Sequence, residues 1–128
     1  MLTEKQVQDY IEFKNGIDSM CEKIAIEVAI IRNLIKPGCD ERYIATDVSV
    51  GNFETTVTIE NSYDYDDFHY IKFPTEYLTF PSDSIAEAEQ KRIEFKEQEE
   101  RKYLARLQAN KEEKERQLLK ELKEKYES

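Results

Sequence analysis

From Asp83 to Ser128 the chain contains no glycine and no proline, and charged residues occupy every turn. All six helix breakers, Gly16, Pro37, Gly38, Gly51, Pro74 and Pro81, lie before this stretch. Pairs such as Glu87–Lys91, Glu97–Arg101, Glu112–Arg116 and Glu121–Lys125 place an acid four residues before a base. Each such pair adds about 0.2–0.5 kcal/mol to an isolated helix. The segment therefore predicts one uninterrupted helix on the order of 60 Å long. A body built from residues 1–82 is too small to cover it. The organisation expected is a compact body over 1–82 and an extended C-terminal helix over 83–128.

Charge divides along the same line. Residues 1–82 carry a net charge of −8 and residues 83–128 a net charge of −1. Neither half offers the uncompensated cationic surface that phosphate backbones attract, so direct nucleic-acid and anionic-membrane binding are not expected. The most apolar run, Ile24 to Ile35, contains Glu27, Arg32 and Asn33 and is too short to span a bilayer. The start, Met1-Leu2-Thr3-Glu4-Lys5-Gln6, lacks the basic and apolar regions of a signal peptide. Cys21 and Cys39 then read as reduced thiols of a cytoplasmic protein rather than as a disulfide framework.

Residues 3–36 predict a helix. Thr3 with Gln6 forms a capping-box pattern, and apolar residues recur at helical spacing from Val7 through Tyr10, Phe13, Ile17, Cys21, Ile24 and Val28 to Ile35. Around Ile24–Ile31 the stripe widens to include Ala25, Ile26, Ala29 and Ile30, which predicts burial on more than one side. Asn15-Gly16 is the weak point of the helix, and Lys36-Pro37-Gly38 is its expected end.

Residues 42–60 predict a β-hairpin turning at Gly51-Asn52. That turn would pair Val50 with Phe53, Val48 with Thr55, Thr46 with Val57 and Ile44 with Ile59, all on one face. A loop, Asn61–Asp67, then leads to a third strand, Phe68–Phe73. The fold class expected is α+β: a long N-terminal helix, a three-stranded antiparallel sheet and a long charged C-terminal helix.

No motif names a reaction. CxxC, HExxH, a phosphate-cradling glycine loop and a nucleophile elbow are all missing. Starting an EF-hand at Asp64 puts His69 where glycine belongs and Thr75 where glutamate belongs, so the calcium motif fails. His69, the only histidine, shares a strand face with Ile71 and Phe73 and reads as structural. Neither an enzyme nor any cofactor or metal is expected.

The sequence offers three sets of candidate interaction residues. Tyr63, Asp64, Tyr65, Asp66 and Asp67 interleave aromatic and acidic side chains and suit a protein-contact epitope. Ile26 and Ile30 on the first helix, with Leu104, Leu107, Leu118 and Leu122 on the last, suit an interface between copies of the chain. Their C-terminal seam is interrupted by Lys111 and Lys114, so no regular heptad is read. Arg32, Arg42 and Lys72, the scarce bases of the body, are the candidates for holding a small nucleotide-like anion at a site between subunits.

The stretch Ile71-Lys72-Phe73-Pro74-Thr75-Glu76-Tyr77-Leu78, followed by a charged helix, resembles small uncharacterised accessory proteins of tailed bacteriophages. There a strand ending in Phe-Pro-x-x-Tyr-Leu precedes a Lys/Glu-rich tail. The resemblance covers residues 68–128 and brings no catalytic residues. It implies action in the bacterial host cytoplasm, with inhibition of a host or defence protein as the kind of role. The functional expectation is a non-catalytic, self-associating interaction protein. The alternatives are a sink for a nucleotide-like anion and an acidic mimic docking on a nucleic-acid-handling enzyme.

Overall fold

A computed structural model describes residues 1–127. In chain order it contains helix α1 (Glu4–Ile31), strands β1 (Tyr43–Val50), β2 (Glu54–Asn61) and β3 (Asp64–Pro74), and helix α2 (Ile85–Glu127). Short 3₁₀ segments, Asp40–Arg42 and Thr75–Thr79, precede β1 and follow β3. The sheet has the order β1-β2-β3 with both pairings antiparallel. The α+β arrangement expected from the sequence is the one observed. The described residues fall into two compact units, Met1–Gln90 and a second beginning at Lys91.

Helix α1 starts where the capping box places it. The Thr3 hydroxyl accepts from the Gln6 amide at 3.1 Å, and the Gln6 side chain accepts from the Thr3 amide at 3.0 Å. The helix passes through Asn15-Gly16 without a break. It ends earlier than Lys36-Pro37-Gly38. Asn33 adopts a left-handed conformation with φ 61°. Its amide reaches the Ile30 carbonyl at 3.0 Å, and the Leu34 amide reaches the Ala29 carbonyl at 2.8 Å. This is a Schellman cap, with asparagine supplying the positive φ that glycine more often supplies.

The first hairpin keeps its strands but not its expected register. The Gly51 amide donates to the Glu54 carbonyl at 3.1 Å, so the turn centres on Asn52-Phe53, one residue later than Gly51-Asn52. Glycine is required at 51 by a close approach, since a Cβ there would lie 2.5 Å from the Glu54 carbonyl oxygen. Val50 then pairs with Thr55 and Val48 with Val57. A β-bulge at Thr46 next reverses the alternation, so that Ala45 faces Ile59 and Tyr43 faces Asn61. The Ala45 amide donates to Glu22 of α1 at 3.0 Å, which gives this irregular backbone a partner. The expected inner face of β1 is corrected accordingly. Tyr43 and Ala45 turn inward, while Ile44 faces out and Phe53 sits in the turn, 90 % exposed. The β2 half of the reading stands, with Thr55, Val57 and Ile59 all buried.

The acidic loop expected over Asn61–Asp67 is mostly strand. The turn is Ser62-Tyr63 alone, and β3 begins at Asp64. Pairing resumes with Asp64 opposite Asn61 and Phe68 opposite Glu60, so Tyr65, Asp66 and Asp67 form a bulge between them. The core lies between α1 and the sheet. Cys21, Ile24, Ala25, Val28 and Ala29 pack against Val57, Ile59, Ile71 and Phe73. Tyr77 stacks on Phe73 with ring centroids 6.0 Å apart, and Ile85 closes the end of the cluster.

Glu89 is the charged member of this interior, 1 % exposed. It accepts from the Arg32 guanidinium at 2.6 Å and from the Tyr77 hydroxyl at 2.8 Å. A carboxylate can be buried at tolerable cost only when its oxygens are engaged in this way. Through Ile85 and Glu89, the first turns of α2 belong to the compact unit that ends at Gln90.

Candidate functional site

The sheet positions one polar network that the sequence did not reveal. Asp67 lies in the β3 bulge and turns toward the helix-facing side, where Tyr43 of β1 also points. The Tyr43 hydroxyl donates to Asp67 Oδ2 at 2.5 Å, and the Asn61 side-chain amide donates to the same oxygen at 3.1 Å. His69 Nε2 lies 3.1 Å from Asp67 Oδ1. Hydrogen bonds from Tyr43 first and Asn61 second hold the Asp67 carboxyl below its ordinary range. Burial, reinforced by the bond to Asp67, pushes the Tyr43 phenol up to about 12. The four residues thus tie β1, β2 and β3 together at one end of the sheet. Their signal in the sequence is parity: Asp67 sits two and four residues before His69 and Ile71, on the face that turns inward.

A cavity of about 310 Å³ opens beside this network, bordered by Ile35, Cys39, Arg42, Tyr43, Asp67 and His69. No hydrogen bond joins the Cys39 thiol to His69 among the described residues, and His69 is engaged by Asp67. Cys21 is buried, and burial first and Asp18 second push its thiol above the ordinary range, which favours the unreactive protonated form. Among the described residues, no group of three or more His, Cys, Asp or Glu is arranged to hold a metal ion. No described helix is long and apolar enough to cross a membrane.

The acid–aromatic run separates into two parts. Tyr63 and Tyr65 are 84 % and 87 % exposed, and Asp64 and Asp66 are exposed beside them. The backbone here is held locally, with Asn61 accepting from the Tyr63 amide at 2.9 Å and Asp64 from the Asp66 amide at 3.1 Å. Asp67 instead belongs to the inward network, so the surface available to a partner is Tyr63–Asp66.

The three candidate anion contacts are not brought to one place. Arg32 is engaged by the buried Glu89. Lys72 points from β3 to the sheet face opposite α1. The Arg42 carbonyl accepts from the Ser62 amide and hydroxyl at 2.7 and 2.8 Å, and the residue borders the cavity beside Tyr43.

The surfaces suited to association are larger than the sequence suggested. Ile26 and Ile30 are half-buried and line a cavity of about 510 Å³ with Glu27, Ile31, Asp40 and Ala86. More apolar surface lies earlier in α1. Every residue from Met1 to Gly16 is exposed, including Val7, Tyr10, Ile11 and Phe13 on the apolar stripe. The cause is length: 28 helical residues rise about 42 Å, whereas eight-residue strands span about 27 Å. The outer sheet face adds Ile44, Phe68 and Tyr70, the last two in an edge-to-face pair at 5.6 Å. In α2, Leu104, Leu107, Leu118 and Leu122 are all exposed.

Comparison with protein-family models, curated proteins and solved structures finds no match to this chain.

Proposed function

We propose that this chain is a non-catalytic, self-associating interaction protein that also captures a protein partner, in the manner of a phage inhibitor of a host or defence protein. The carrying observation is apolar surface left in water. Val7, Tyr10, Ile11 and Phe13 form one stripe on α1, and Leu104, Leu107, Leu118 and Leu122 lie on α2. An exposed apolar stripe such as the one on α1 marks an interaction site, and the α2 leucines add two exposed apolar pairs. Light scattering on the full chain at micromolar concentration tests the reading. The expected mass is a multiple of 15.2 kDa; a strict monomer across the range refutes it.

A second reading, of an acidic surface docking on a basic nucleic-acid-handling enzyme, is favoured by the exposure of Tyr63, Asp64, Tyr65 and Asp66 on a body of net charge −8. Charge complementarity of this kind speeds encounter and selects partners. Reversing Asp64 and Asp66 to lysine should abolish capture of such an enzyme, and unchanged capture removes the idea. Either role would be carried out in the host cytoplasm.

A further inference from the structure

We infer that α2 pairs with α2 of a second copy in an antiparallel coiled coil whose twofold axis passes between Ala105 and Arg106. This rests on the self-association proposed above and specifies its geometry. Along α2, residues spaced alternately three and four apart form a single seam: Ile93, Glu97, Glu100, Leu104, Leu107, Lys111, Lys114 and Leu118. From Glu97 onward every one of these side chains is exposed. As a list of apolar positions the seam is broken. As a palindrome of chemistry it is complete.

The order reads apolar, acid, acid, apolar, apolar, base, base, apolar. Folded about its own centre, it places Leu104 opposite Leu107 of the second copy, Glu100 opposite Lys111, Glu97 opposite Lys114, and Ile93 opposite Leu118. Symmetry makes each pairing twice, giving eight layers over about 39 Å of helix. Every layer is either apolar or an acid facing a base. The alternative of a parallel, in-register dimer sets Glu97 and Glu100 against their own copies and Lys111 and Lys114 against theirs. Charged residues at seam positions weaken a coiled coil but decide its register and orientation. Here all four charged layers favour one orientation and disfavour the other.

The flanking positions are mixed. Arg101 falls beside Gln108 of the second copy, and Glu94 beside Glu115, so orientation is set by the seam and not by its rim. Within one helix Glu97 already approaches Arg101, at 4.0 Å with both side chains more than half exposed. A pair so exposed contributes little and does not prevent Glu97 from meeting a lysine across the interface.

The test uses sedimentation equilibrium on the full chain. Two double variants are made, Glu97→Lys with Glu100→Lys, and Lys111→Glu with Lys114→Glu. The first gives a seam with lysine at all four charged positions, and the second gives glutamate at all four. In the antiparallel arrangement each variant alone converts every charged layer to like charges, so self-association should weaken at least tenfold. An equimolar mixture should regain a dimer, which also shows that both variants fold. If wild type associates and both variants associate as well as it does, the antiparallel pairing is wrong while the self-association reading survives. A wild-type monomer overturns both.

Discussion

Replacing Glu89 with alanine probes the buried polar centre of the compact unit most directly. The carboxylate is 1 % exposed and joins the C-terminal end of α1, the 3₁₀ turn after β3 and the first turns of α2 through Arg32 and Tyr77. Losing it deprives the buried Tyr77 hydroxyl of this acceptor, at a cost of about 1–3 kcal/mol. It also separates an ion pair for which the loss is about 3–5 kcal/mol when both partners are fully buried. Arg32 is about a quarter exposed, so water compensates part of its loss. The expected destabilisation is about 2–4 kcal/mol, or a fall in Tm of roughly 10–25 °C for a unit of this size. Urea unfolding followed by tyrosine fluorescence measures it directly, since the chain has eight tyrosines and no tryptophan. The companion variant replaces Glu89 with leucine and Arg32 with methionine together. Removing both charges leaves neither stranded, so the double variant should recover the ion-pair part of the loss and retain only the cost of the Tyr77 hydroxyl's lost acceptor, about 1–3 kcal/mol. A single variant costing under about 1 kcal/mol, or a double variant at least as unstable as the single, would refute the reasoning.

Gly16→Ala should stabilise the chain by about 0.5–1 kcal/mol, because Gly16 lies mid-helix with open space where a Cβ would go; a thermal melt shows the direction. Gly51→Ala should destabilise by about 1–3 kcal/mol, since the new Cβ would overlap a backbone carbonyl that cannot swing away; unchanged stability would place the turn elsewhere. The Tyr43–Asp67 bond predicts losses at both pH extremes. Asp67 has a depressed folded pKa, so its contribution is complete above its ordinary value of 3.8 and disappears as pH falls through the folded value. Tyr43 has a raised folded pKa, so its contribution is complete below 10 and disappears as pH rises toward about 12. A Tyr43→Phe chain should show neither limb as steeply in a stability–pH profile.

The elements were legible where periodicity and punctuation agree. The long glycine-free tail, the Thr3 capping box and the alternation of β2 each state their structure within a few residues. The β1 register was not legible, because two local devices act together. Gly51 is used for a close carbonyl approach rather than for its place at the centre of a turn, and the bulge at Thr46 then reverses parity. Each shifts the strand by one position, and the second depends on a long-range acceptor, Glu22, 23 residues away. The end of α1 was misplaced for a related reason: Asn33 terminates the helix before the more conspicuous Pro37-Gly38. Glu89 shows the limit of composition. Among 28 acids, the one that is buried differs from the others only in occupying a core-facing position four residues after Ile85.

The β3 bulge has a consequence for how this molecule avoids its own kind in the wrong way. β3 is the longest strand and lies at the margin of the sheet, where a row of unpaired backbone groups would accept another chain. Tyr65–Asp67 kink that margin out of straightness, two aspartates hold negative charge along it, and a third turns inward where an incoming strand would find no apolar match. These are the features by which natural sheets resist edge-to-edge growth into fibrils. The same aspartates that give this surface its acidity therefore act as gatekeepers, keeping the β3 flank of the sheet closed to strand addition.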